Sequence, residues 1–124
     1  MKREGYGEEL VLDVHNCDLS KFNKEDIENF FIELCDIINM ERCDLHFWED
    51  EYLTEEEKTN PVLSGISAVQ FIKTSSITLH ALNLLRKVFI NIFSCKPFDT
   101  NKAAAFSEMY FAGDIVSTRT VNRV

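Results

Sequence analysis

The spacing of apolar residues changes several times along this chain, and each change marks an element. Glu9-Leu10-Val11-Leu12-Asp13-Val14-His15 alternates in part and is rich in β-formers, which predicts a first strand ending near Asn16. Ile27, Phe30, Phe31, Leu34, Cys35 and Ile38 then fall at i, i+3, i+4, i+7, i+8 and i+11, one stripe of an amphipathic helix. Asn23 is its N-cap, with Glu25 and Asp26 adding favourable charge in the first turn. Cys43 to Trp48 predicts a second strand. Three β-rich runs follow, Ile66 to Ile72, Ser76 to Leu82 and Val88 to Ser94. Asp99 or Thr100 caps a short helix in which Ala103, Phe106 and Tyr110 share a face, with Met109 beside them and Gly113 just past the end. Asp114 to Asn122, rich in Val, Ile and Thr, predicts the last strand.

The order β-α-β-β-β-β-α-β predicts an α+β fold: a two-layer α/β sandwich, its sheet mainly antiparallel, with two helices on one face. The other face then needs a cover. Ten phenylalanines in 124 residues point to a second copy of the chain, since burying one large apolar side chain gains roughly 1.5–3 kcal/mol. A homodimer is expected.

Length makes residues 1–124 a single domain. A hydrophobic fraction of 45% with four glycines and two prolines predicts a packed core rather than a disordered chain. The net charge of -8 argues against nucleic acid, whose phosphates require a surplus of Lys and Arg. No apolar run approaches the roughly 18 residues that span a bilayer, so no membrane association is expected. Met1-Lys2-Arg3-Glu4 does not open a signal peptide, and a cytoplasmic location with reduced thiols is the expectation for Cys17, Cys35, Cys43 and Cys95. Glu49 to Lys58 holds six acids in ten residues without the ligand spacing of an EF-hand; it predicts a solvated loop, closed by Asn60-Pro61 and Gly65. His15 with Cys17, and Cys43 with His46, lack zinc-finger spacing, so no metal is expected.

The chemistry concentrates in Lys73-Thr74-Ser75-Ser76-Ile77-Thr78-Leu79-His80 and in Cys95, which set hydroxyls, an imidazole and a thiol on neighbouring apolar stretches. Residues of these types serve nucleophilic catalysis, but a thiol at a strand end is more often packing. A wider pattern adds to them. Gly65-Ile66-Ser67-Ala68, Ser75, Ile77-Thr78-Leu79-His80 and Ile92-Phe93-Ser94-Cys95, with the opening Gly7-Glu8-Glu9-Leu10-Val11-Leu12-Asp13 and the Phe98-Asp99 helix start, resemble the short prokaryotic S-adenosylmethionine decarboxylases. The intervals from Ser67 to Ser75, on to His80 and on to Cys95 match that family without a gap, and only about 49–62 looks inserted.

The resemblance implies a self-processing enzyme in the polyamine (spermidine) pathway, with S-adenosylmethionine as substrate and a pyruvoyl cofactor made from Ser75. In that family the serine attacks the preceding carbonyl, here that of Thr74, and the chain splits between Thr74 and Ser75. His80 is implied as the processing base, Ser67 as an aid to processing, and Cys95 as the proton donor in decarboxylation, a role that suits a thiol still protonated at neutral pH. Thr74 stands where the family has a glutamate, and Ser76 where it has a histidine. Ala81-Leu82-Asn83-Leu84 replaces a Thr-Trp-Pro-Glu run, and Asn60-Pro61 occupies the region of the family's adenine-stacking phenylalanine, for which Phe47, Trp48 and Tyr52 are candidate substitutes. These departures leave two alternatives open: a non-processing homologue with a binding or regulatory role, and a pyruvoyl decarboxylase for another amino acid.

Overall fold

The partial alternation near the start of the chain becomes strand β1, Gly7–His15, in a computed structural model that describes residues 5–124. The charged opening 1–4, read above as unlike a signal peptide, lies outside the described residues. Helix α1 spans Lys24–Ile37, β2 Arg42–Trp48, β3 Ile66–Ile72, β4 Ser75–Leu82, β5 Lys87–Ser94, α2 Thr100–Tyr110 and β6 Asp114–Arg123. The strands form one antiparallel sheet in the order β2-β3-β4-β5-β1-β6. The expected α+β sandwich is therefore the observed one.

Alternation decides which sheet face is dry. Leu10, Leu12 and Val14 of β1, Ile77, Leu79 and Ala81 of β4, and Val88, Ile90 and Ile92 of β5 are buried in one core with the α1 residues Ile27, Phe30, Phe31 and Leu34. The α1 stripe faces inward because its period is that of the helix, and Asn23 starts the helix by accepting the Asp26 N–H at 2.9 Å. Asp99, rather than Thr100, caps α2, its carboxylate accepting the Lys102 N–H at 3.0 Å. Phe30 stacks on Phe106, and the Tyr110 hydroxyl donates to the Asp26 carbonyl at 2.6 Å, so the helices are joined by rings and one hydrogen bond.

Three details differ from the sequence expectations. Met109 is 69% exposed because it turns away from the face shared by Ala103 and Phe106. The left-handed position after α2 falls on Ala112, with φ of 49°; Gly113 is needed instead because a Cβ there would meet the His15 carbonyl oxygen at 2.6 Å. The acidic segment is not simply solvated. Asp50 accepts from Ser64 Oγ at 3.3 Å and the Gly65 N–H at 3.2 Å, while Thr54 and Glu57 form a reciprocal capping box just ahead of the short turn Glu57–Thr59.

Among the polar side chains that enter the dry face, Gln70 is the one that serves a bulge. Gln70 is fully buried on β3, where the β2 register slips between Arg42 and Leu45. Its amide donates to the carbonyls of Cys43 and Asp44 at 3.1 and 3.3 Å, and its oxygen accepts from Arg42 Nε at 2.9 Å, so the bulge costs no unpaired buried carbonyl at these positions.

Phe30 contacts the rings of Phe31, Phe106, Tyr110 and Phe111 at centroid distances of 4.9 to 5.7 Å. Phe30→Ala should lower the unfolding free energy by roughly 3–5 kcal/mol, read from the midpoint of a urea titration.

Candidate functional site

The antiparallel register places Ser67 of β3 directly opposite His80 of β4, and Ser67 Oγ lies 2.8 Å from His80 Nδ1. This pair is on the sheet face turned away from the helices. A cavity of about 210 Å³ opens beside it, lined also by His46, Phe47, Trp48 and Thr78. Trp48 stacks on Tyr52 with centroids 4.9 Å apart and planes 19° from parallel, and both rings remain largely exposed. Phe47 packs against the core. Of the three aromatics singled out from sequence, Trp48 and Tyr52 thus form one platform at the mouth of this cavity.

Thr74, Ser75 and Cys95 gather at the end of the sheet beyond the β4 start. Only Lys73 and Thr74 separate Ile72 from Ser75, and those two flanking residues pair with each other, so the Thr74-Ser75 peptide leaves a tight hairpin. Ser75 also pairs with Ser94, which brings the next residue, Cys95, alongside Thr74. The Cys95 N–H donates to the Thr74 carbonyl at 3.1 Å. Ser75 has a φ of 156°, a conformation that L residues rarely adopt and that costs about 1–3 kcal/mol. Its hydroxyl makes no hydrogen bond among the described residues.

Sequence reasoning missed three neighbours of this peptide. Ser94, fully buried, holds the Thr74 hydroxyl at 2.8 Å and accepts the Lys96 N–H at 2.9 Å. Met40 Sδ lies 3.4 Å from the Thr74 hydroxyl. Tyr6 hydrogen-bonds Cys95 through its side chain, and that bond, followed by the charge of the thiolate, raises the phenol above its ordinary value. Gly7 makes this approach possible, because a Cβ there would meet the Ser94 carbonyl oxygen at 2.5 Å. The signal for Ser94 was available: the β5 alternation puts a serine at an inward position.

The four residues singled out from sequence therefore form two pairs rather than one cluster. Ser67 touches His80, and Cys95 touches the Thr74-Ser75 peptide. His80 is five residues along β4 from Ser75, about 16 Å at the usual strand rise. Within one chain His80 does not reach Ser75.

Fold and site together define a two-layer α/β sandwich that carries its reactive groups at one end and on the uncovered face of the sheet. The family model for S-adenosylmethionine decarboxylase matches residues 8–124, and the chain belongs to that family. Among solved structures, the crystal structure of the adenosylmethionine decarboxylase from Aquifex aeolicus VF5 shares the fold, with a TM-score of 0.76 and 15% identity over 98% of this chain and 92% of that chain. No curated protein matches the chain. No described helix is long and apolar enough to cross a membrane.

None of the four cysteines forms a disulfide among the described residues, and burial is what separates them. It pushes the Cys17 and Cys35 thiols from 9.0 up to about 11. The folded chain holds these protons more tightly than the unfolded chain, so their contribution to stability is intact below the unfolded value and is lost as pH rises toward 11. Iodoacetamide at pH 8 should modify exposed Cys43 first and reach Cys17 and Cys35 only in denaturant, by intact mass. Thermal midpoints should fall as pH climbs from 9 toward 11.

Proposed function

We propose that this protein is a self-processing, pyruvoyl-dependent S-adenosylmethionine decarboxylase that supplies decarboxylated substrate to polyamine (spermidine) synthesis. The observation that carries this reading is the state of the Thr74-Ser75 peptide, whose carbonyl is polarised by the Cys95 N–H and whose serine is held at φ 156°.

The residues present fit a pyruvoyl group made in place. The Ser75 hydroxyl attacks the Thr74 carbonyl carbon, and the Cys95 N–H stabilises the oxyanion that develops there. The C–N bond breaks as the C–O ester forms, and the hydroxyl proton ends on the Ser75 nitrogen. A base then removes the Ser75 α-proton while the Cβ–O bond breaks. Thr74 leaves as a carboxylate, ending a fragment of residues 1–74, and uptake of water with loss of ammonia leaves a ketone at the start of residues 75–124. Cleavage also releases the strained φ of Ser75. The pyruvoyl ketone supplies an electron sink for loss of carbon dioxide from an amino acid.

His80 is the base in this reading, and its distance from Ser75 requires that it act on a second copy. With Nδ1–H donating to Ser67 Oγ, Nε2 is left as the basic nitrogen. Ser67 thus assists processing by orienting the ring. The face that carries the pair also carries Phe71, 45% exposed, and Trp48, 56% exposed, with Val69, Phe89 and Phe93 half-buried, an apolar surface suited to a homodimer. Cys95 Sγ holds the proton returned to the substrate's α-carbon.

Wild-type protein should run as two fragments on a denaturing gel, and Ser75→Ala as one intact chain. Cys95→Ala keeps its backbone N–H, so it should still be cleaved while carbon dioxide release from S-adenosylmethionine falls about a hundredfold or more. An intact, folded wild-type chain would leave a non-processing role. Release from arginine or ornithine but not S-adenosylmethionine would move the substrate to another amino acid.

The two-copy arrangement is tested by complementation. His80→Ala alone should remain uncleaved, yet be cleaved when co-expressed with Ser75→Ala, whose His80 is intact. Persistence of the intact His80→Ala chain in that mixture would overturn the assignment.

A further inference from the structure

We propose that Thr74 and Ser94 are a positioning pair for self-processing, a hydroxyl clamp that keeps the Thr74 carbonyl on the Cys95 N–H while the Ser75 hydroxyl attacks. The proposal rests on the processing reading above.

The end of β5 grips Thr74 at two points. The Cys95 N–H takes the carbonyl oxygen at 3.1 Å, and Ser94 Oγ takes the side-chain hydroxyl at 2.8 Å. Ser94 is itself fixed, since its oxygen accepts the Lys96 N–H at 2.9 Å and its side chain is fully buried. Met40 Sδ stands 3.4 Å from the Thr74 hydroxyl and 3.7 Å from that of Ser94, so the second hydroxyl proton has a partner whichever oxygen donates to the other. Met40 is itself buried, so its sulfur is a fixed partner for these hydroxyls.

A clamp on the side chain acts on the backbone because only two bonds join Oγ1 to Cα. Anchoring Oγ1 on Ser94 therefore limits rotation about the Thr74 backbone bonds and holds the carbonyl in register with its donor. In the step served, the Ser75 Oγ–C bond forms at the Thr74 carbonyl carbon, the C–N bond breaks, and the hydroxyl proton passes to the departing nitrogen. A carbonyl swung away from the Cys95 N–H loses its oxyanion donor just as negative charge develops. A displacement near 1 Å in such a geometry costs about a hundredfold in rate.

The test follows conversion of newly synthesised chain into fragments by intact mass in a cell-free translation, with far-UV circular dichroism confirming the fold of each variant. Thr74→Val keeps the shape and removes the hydroxyl, and it should cleave about ten- to a hundredfold more slowly than wild type. Thr74→Ser restores the hydroxyl and should return to within about threefold. Ser94→Ala should match Thr74→Val, and the double variant should be no slower than the slower single variant, because the two act as one unit. Should Thr74→Val not fold, Ser94→Ala with its wild-type threonine gives the same reading. Wild-type speed in Thr74→Val or Ser94→Ala, or a Thr74→Ser as slow as Thr74→Val, overturns the clamp alone. Multiplicative slowing in the double variant overturns the pairing. A wild-type chain that never cleaves overturns the processing reading and the clamp together.

Discussion

The pairing of β4 with β5 is the constraint on which the rest of this molecule depends. Once Ser75 is opposite Ser94, Cys95 must lie beside Thr74, and the peptide between Thr74 and Ser75 is gripped by backbone that belongs to another strand. That register is fixed by burial. Ile77, Leu79 and Ala81 face the helices together with Val88, Ile90 and Ile92, and a slip of one residue would turn one of the two sets toward solvent. The hydrophobic core thus sets the position of a hydrogen bond at the sheet's end to within a fraction of a strand rise. The strain at Ser75 can persist because the packed strands on either side do not yield to it.

The same sheet explains why the reactive residues are divided. A single layer of helices leaves one face uncovered, and Ser67 and His80 project from that face while the Thr74-Ser75 peptide closes the end. Joining His80 to Ser75 within one chain would require β4 to fold back on itself. In the proposed assembly, a second copy docked on the apolar sheet face supplies the His80 that one chain cannot bring to its own Ser75. Under that proposal the exposed aromatic surface and the chemistry call for the same assembly, and the assembly is then part of the site.

Much of this was legible in the sequence, and the remainder was hidden for physical reasons. The α1 stripe from Ile27 to Ile38 and the alternation in β4 and β5 are strong periodic signals, and they gave the sandwich with its helices on one side. Ser67, Ser75, His80 and Cys95 stand out by their intervals, yet intervals carry no distances. The interval from Ser75 to His80 was readable as a separation, since five residues of strand span about 16 Å. Gln70 and Ser94 were missed because a polar residue at an inward position is an exception to the pattern that finds strands. Their partners, a bulge in β2 and a threonine on the neighbouring turn, are tertiary facts. Asp50 was hidden among acids that look alike in sequence, although it alone among them accepts hydrogen bonds from Ser64 and Gly65 among the described residues.

The residue before Ser75 also acquires a physical rationale. Where the resembling enzymes carry a glutamate, this chain carries a threonine whose hydroxyl is tied to Ser94 and lies 3.4 Å from the Met40 sulfur. In the proposed processing, attack on the Thr74 carbonyl builds negative charge on its oxygen, and an ionised carboxylate a few ångströms away in a partly dry site would oppose that charge. A neutral hydroxyl fixes the peptide without such opposition, and it leaves the Cys95 N–H as a donor facing no nearby competing anion on Thr74. In a protein of net charge -8, this clamp positions the reacting peptide while adding no further negative charge to it.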